Sequence, residues 1–253
     1  MQALADWIGL PPSLFMISLA VAFLAGAVRG FTGFGLSAVV MASMVVFLPP
    51  VDLIPICFLL ETTASLVMFR GGFRDADRRM SLTLAAGSAV GTPLGLLATT
   101  SIPSEISKAV ALTLVLALSV FQFFKVNLKL FEIRGALSVT GIVSGIATGL
   151  ASVGGMVIAL YVLGTAHEAR KMRASLVLYL FASMAVSFVA LLYFDVLNET
   201  SLKRGIALAP AVLVGVYVGS RLFSQRLQSA YKSFCLGLLI MLSCAGVLRL
   251  FLT

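Results

Sequence analysis

Residues 26–35 read Gly26-Ala27-Val28-Arg29-Gly30-Phe31-Thr32-Gly33-Phe34-Gly35, and residues 145–154 read Gly145-Ile146-Ala147-Thr148-Gly149-Leu150-Ala151-Ser152-Val153-Gly154. Both stretches carry glycine at the first, fifth and tenth places, and apolar residues flank each of them. Glycine lets a backbone leave the helix and approach a ligand. Interrupted hydrophobic segments at corresponding positions of two halves are a sequence pointer to a transporter's binding site.

The composition places these breaks in lipid. The chain has 253 residues, 60% of them hydrophobic and 11% charged, with a mean hydropathy of +1.09. A soluble domain carries about 25% charged residues, so this much apolar surface calls for a bilayer as solvent. The net charge of +8 would suggest nucleic acid in a soluble protein. Here Lys and Arg collect in short connections between apolar runs, which is the positive-inside pattern, and no nucleic-acid partner is expected. Cys57, Cys235 and Cys244 lie in apolar runs without a Cys-x-x-Cys spacing; they read as small buried hydrophobes. Met1 to Pro12 has no basic leader and contains Asp6, Trp7 and Pro11-Pro12. It reads as an interfacial segment anchored by Trp7, not a cleaved signal peptide.

Apolar segments fall at 14–28, 36–48, 52–70, 80–99 and 105–124, then at 135–149, 155–164, 174–194, 204–221 and 230–252. A helix over 155–164 rises only about 15 Å, roughly half a bilayer core. Each glycine-broken pair therefore reads either as a re-entrant hairpin or as two crossings, giving eight spans plus two hairpins, or ten spans. Either way the pair leaves on the side it entered. Arg70, Arg74, Arg78 and Arg79 fill one connection, Lys125, Lys129 and Arg134 a second, Arg170, Lys171 and Arg173 a third, and Arg221, Arg226 and Lys232 a fourth. The alternating connections, Pro49 to Asp52, Thr100 to Glu105 and Asp195 to Ser201, are poor in both. Basic loops in the cytoplasm satisfy all of them.

With that orientation the first half starts outside and the second inside. The expected fold is an all-α polytopic membrane protein, an inverted-topology repeat of two five-segment halves. The halves cover residues 1–124 and 135–253, with 125–134 as a cytoplasmic linker. A second alignment agrees: Val90-Gly91 and Gly95 match Val214-Gly215 and Gly219, Lys108 falls on Lys232, and Leu118-Ser119 on Leu242-Ser243.

Within the breaks, a helix restarting after glycine presents unpaired N–H groups and a partial positive charge, and two facing helix starts favour an anion. The candidate contacts are Arg29, Gly30, Thr32, Gly33, Phe34, Gly35 and Ser37 from the first copy, and Gly149, Ser152, Gly154 and Gly155 from the second. The competing reading of the glycines is close helix packing, which Gly87, Gly91, Gly95, Gly215 and Gly219 receive. Arg29 either neutralises an anion or snorkels to cytoplasmic headgroups; Thr148 takes its place in the second copy. Glu61, inside an apolar run, is a candidate proton relay that couples transport; the competing reading is a protonated carboxyl bonded to a neighbouring helix. His167 belongs to a basic loop. One His gives no metal site, and no cofactor motif, ATP-binding loop or nucleophile–base pair occurs, which argues against an enzyme.

Arg29 to Gly35, Gly91-Thr92-Pro93-Leu94-Gly95 and Gly149 to Gly155, in this order and spacing, resemble the sulfite exporter TauE/SafE family of bacterial membrane proteins. The resemblance covers essentially the whole chain. It implies a secondary transporter in the cell inner membrane that exports sulfite, an organosulfonate or sulfoacetate. Phe34 stands where that family commonly has a small residue, which bears on pocket size. The expected partners are a small anionic substrate and the bilayer, with a homodimer left open. The alternative is a membrane assembly or regulatory subunit, which would explain the apolar bulk but not the duplicated breaks.

Overall fold

The computed structural model describes residues 7–72, 76–124, 135–163, 169–222, 236–237 and 239–248. The linker 125–134, His167, Arg74, Arg226, Lys232 and Cys235 lie outside the described residues. The described chain is helical throughout: α1 (Pro12–Thr32), α2 (Leu36–Met44), α3 (Pro50–Gly72), α4 (Arg78–Ser101), α5 (Ser104–Phe123), α6 (Ala136–Ala151), α7 (Gly154–Leu163), α8 (Ala169–Tyr193), α9 (Glu199–Leu222) and α10 (Leu239–Leu248). Six of these, α1, α3, α4, α5, α8 and α9, are long and apolar enough to cross a membrane. The shorter α2, α6 and α7 flank the two glycine breaks.

α1 is longer than the apolar pattern suggests. The run 14–28 stops before Arg29, yet the helix continues to Thr32 and ends at Gly33, whose φ of 86° is left-handed. Arg29 and Gly30 are accommodated because both are buried within the protein. α2 begins directly after Gly35 (φ 88°) and spans nine residues. The second break repeats the turn with a different residue. α6 ends at Ser152, left-handed at φ 57°, and α7 restarts at Gly154 with ten residues.

Two glycine-lined helix pairs hold the bundle. A side-chain carbon on Gly26 or Gly30 would run into the backbone of Val212 or Val216 on α9, and one on Gly215 or Gly219 into Phe23 or Ala27 on α1. In the same way Gly87, Gly91 and Gly95 of α4 interlock with Gly141, Gly145 and Gly149 of α6. Residue numbers rise together along each contact, so α1 runs parallel to α9 and α4 parallel to α6. Backbones this close gain dispersion contacts that lipid cannot supply, the basis of small-residue packing in membranes. α3 and α8 cross between the pairs, with Phe58 and Phe188 stacked at 6.2 Å. Ser119 and Ser243, matched by the alignment, are both fully buried, and neither hydroxyl has a hydrogen-bond partner among the described residues.

Candidate functional site: a cavity between two broken hairpins

A cavity of about 710 Å³, counting its open mouth, lies where the two breaks meet. Gly35, Ser37 and Ala38 line it from the first hairpin, and Thr148, Gly149, Ser152, Val153, Gly155 and Met156 from the second. α3 contributes Glu61, Phe58 and Ile54, α8 contributes Tyr179 to Leu191 at helical spacing, and α4 contributes Thr92 and Leu96. The wall is polar at the breaks and apolar toward Ile54 and Leu191. The α3, α4 and α8 lining residues lie mostly in the halves of those helices nearest the Lys- and Arg-poor connections.

The first hairpin is built around a buried charge. Arg29 is 0% exposed. Its Nε lies 3.2 Å from Glu61 Oε2, its Nη1 donates to the Gly33 carbonyl, and its Nη2 donates to Ser65 Oγ at 3.0 Å. The other carboxylate oxygen, Glu61 Oε1, accepts from Ser37 Oγ at 3.0 Å and from the Ser37 backbone N–H at 3.3 Å. Ser37 is the second residue of α2, so that N–H is one of the helix's unpaired first-turn donors. A carboxylate there is favoured by both the free donors and the helix dipole. The Nε–Oε2 contact is a charge pair without a formed hydrogen bond, since neither atom has a hydrogen-bond partner among the described residues. Thr32 closes the turn: its Oγ1 lies 2.8 Å from the Val28 carbonyl and 2.7 Å from the Phe34 carbonyl, and it accepts the Phe34 N–H.

The second hairpin is neutral. Ser144 Oγ donates to the Gly154 carbonyl at 2.8 Å and meets the Tyr179 hydroxyl at 2.7 Å. Tyr179 in turn donates to Ser88 on α4 at 3.3 Å, and Ser88 faces Thr92 at 3.4 Å. Thr148, at the repeat position of Arg29, returns its hydroxyl to the Ser144 carbonyl. Gln122 of α5 donates to the Met156 carbonyl and pins α7. One side of the cavity thus holds an ion pair and the other a chain of hydroxyls.

The family model described as sulfite exporter TauE/SafE matches residues 18–247, most of the chain. The chain belongs to this family. Comparison with curated proteins and with solved structures gave no match. A TauE/SafE chain is a membrane transporter of sulfur-containing anions, which agrees with the six membrane-length helices, three of which line the cavity with the two breaks.

In this TauE/SafE protein the residues singled out from sequence fall into two groups. Gly35, Ser37, Gly149, Ser152, Gly155 and Glu61 line the cavity. Arg29, Gly30, Thr32, Gly33, Phe34 and Gly154 do not, and each has a structural position instead. Gly30 is a packing glycine against Val216, and Gly154 sits against Ser144 and Thr148. Gly33 supplies the left-handed cap, and Thr32 ties the turn. Phe34 packs at the edge of the second break, its Cβ 4.0 Å from where a Gly155 side chain would begin. Arg29 does not snorkel toward headgroups; it is fully buried and turned to Glu61. Tyr179, Ser144 and Ser88 went unremarked in the sequence. Their signal is the pairing Ser144/Thr148 and Ser88/Thr92 at four-residue spacing, which puts hydroxyls on one helix face.

Proposed function

We propose that this protein is a secondary transporter that exports a small sulfur-containing oxyanion, such as sulfite, an organosulfonate or sulfoacetate, across the bacterial inner membrane. The observation that carries the reading is that both broken hairpins open onto one cavity. Ser152 and the backbone at Gly35 and Gly155 offer donors to an oxyanion there, Ser37 adds its own once Glu61 gives them up, and the first turns of α2 and α7 add amide N–H groups. Arg29 contributes positive charge from behind the first break, and Glu61 carries the coupling proton.

An inverted-topology repeat with halves 1–124 and 135–253 accounts for the helix partners. Antiparallel halves require α1 and its cross-partner α9 to run the same way, and likewise α6 and α4. The parallel contacts of both pairs support that plan, the usual basis of alternating access. The same plan keeps the basic loops cytoplasmic.

The test is flux in liposomes. Purified protein is presented with sulfite, thiosulfate, sulfoacetate, taurine and chloride, and thermal stability is followed in parallel, since a bound anion raises it. Transport of a sulfur oxyanion with a matching stability gain is expected. Neither uptake nor a shift with any of them would remove the reading.

A further inference from the structure

We infer that the Glu61 carboxylate is an internal stand-in for the substrate, occupying the oxyanion's place until the anion displaces it. This rests on the transport reading above and adds how binding and proton uptake are joined. Glu61 is an oxyanion seated in the cavity wall. One oxygen takes both the hydroxyl and the amide of Ser37, and the other faces the Arg29 guanidinium at 3.2 Å. These are the donors that an incoming oxyanion would use. Ser37 has one amide and one hydroxyl proton, and Glu61 holds both.

The surroundings leave little room for two anions. Among the described residues the charged group against Glu61 is Arg29, from α1. Tyr179 of α8 lines the same cavity, and Cys57 lies one turn before Glu61 on α3. The polar side chains that α2, α4, α6 and the second break bring to the lining are hydroxyls: Ser37, Thr92, Thr148 and Ser152. α5 and α9 contribute no lining residue. A substrate monoanion beside an ionised Glu61 would put two negative charges against one guanidinium in a low-dielectric site, an arrangement that drives protonation of one of them. Binding then proceeds as an exchange. The anion takes the Ser37 donors, a proton from water moves onto a Glu61 oxygen, and the net charge around Arg29 is unchanged. No bond of the substrate is made or broken. One proton enters the site for each monoanion bound, and Arg29 keeps a counter-charge in both states.

The probe is methanesulfonate, whose charge is constant across the pH range used, with purified full-length protein in detergent. Wild-type protein is expected to take up about one proton per anion bound in weakly buffered solution, and its Kd to rise about tenfold per pH unit on the alkaline side. Glu61→Gln is expected to bind with a Kd that no longer varies with pH and without proton uptake. Methanesulfonate should raise its melting temperature more than that of wild type, because the anion restores the missing counter-charge. Should Glu61→Gln fail to insert, the wild-type proton count decides alone. Binding in wild type with no proton uptake and a flat pH profile overturns the displacement idea while leaving an anion carrier. No binding of methanesulfonate or of any sulfur oxyanion in the flux panel overturns the carrier reading beneath it.

Discussion

A side-chain carbon placed on Gly155 would sit 4.0 Å from the Cβ of Phe34, so the tips of the two hairpins lie about one methyl group short of contact. The other near neighbour is the end of Leu180, at 3.5 Å. These are ordinary van der Waals distances, unlike those at the helix-packing glycines. Gly155→Ala should therefore be tolerated, changing stability by about 0.5 kcal/mol or less. Gly155→Leu projects four carbons into the cavity. It should abolish anion flux while the protein still inserts and purifies as a monodisperse species. Flux at the wild-type rate in Gly155→Leu would mean that the substrate does not pass this point.

The interlocked glycines should behave in the opposite way. A Cβ on Gly91 meets the Ile142 carbonyl and a Cβ on Gly30 meets the Val216 carbonyl, and both obstacles are backbone that cannot rotate aside. Gly91→Val and Gly30→Val should push α4 from α6 and α1 from α9. Overpacking of this kind costs about 1–3 kcal/mol, occasionally more. The melting temperature in detergent should fall for both, and flux should fall with the amount of folded protein. A Gly30 variant with normal stability and lost transport would return Gly30 to the binding surface.

The breaks and the helix class were legible because glycine spacing and hydropathy are local signals that lipid amplifies. Whether a given glycine lines a cavity or a helix contact was not legible. Gly30 and Gly35 look alike in sequence, and only the approach of α9 separates them. The partnership of Arg29 with Glu61 was within reach: two opposite charges in apolar runs must be paired if buried. What sequence could not supply was that α1 continues to Thr32, which brings Arg29 level with Glu61 and Ser65 rather than with the lipid interface. The neutral cluster at Tyr179 stayed hidden because hydroxyls are common in membrane helices and carry no charge to betray a partner.

Ser152 gives a backbone test. It stands at the repeat position of Gly33 and adopts the same left-handed conformation, φ 57° against 86°. A residue with a Cβ in this region is strained by about 1 kcal/mol relative to glycine. Ser152→Gly should therefore be neutral to stabilising by up to about 1 kcal/mol, and Ser152→Val, whose branched side chain resists positive φ, should be destabilising. Thermal unfolding of the three proteins in one detergent checks the order. If Ser152 also donates to the anion, the glycine variant will show weaker binding despite its stability. That combination separates the side chain's role from the backbone's.

The ion pair sets up a double-mutant cycle. Removing one member of a buried pair leaves an uncompensated charge and costs about 3–5 kcal/mol, whereas replacing both by apolar residues of similar size is often close to neutral. Arg29→Met leaves Glu61 with Ser37 alone, and the carboxyl can escape part of the penalty by taking a proton. Glu61→Leu leaves a guanidinium that cannot lose its proton, with only the Gly33 carbonyl and Ser65 for company. Arg29→Met should thus be the milder single substitution and should become milder still as pH falls. Arg29→Met combined with Glu61→Leu should recover most of the stability lost in Glu61→Leu, yet transport nothing, since neither the charge behind the break nor the displaceable carboxylate remains. Melting temperatures of the four proteins at two pH values, read beside flux, measure the coupling. Additive losses would mean that the 3.2 Å contact carries little energy, and Arg29 would then be held by Gly33 and Ser65 rather than by Glu61.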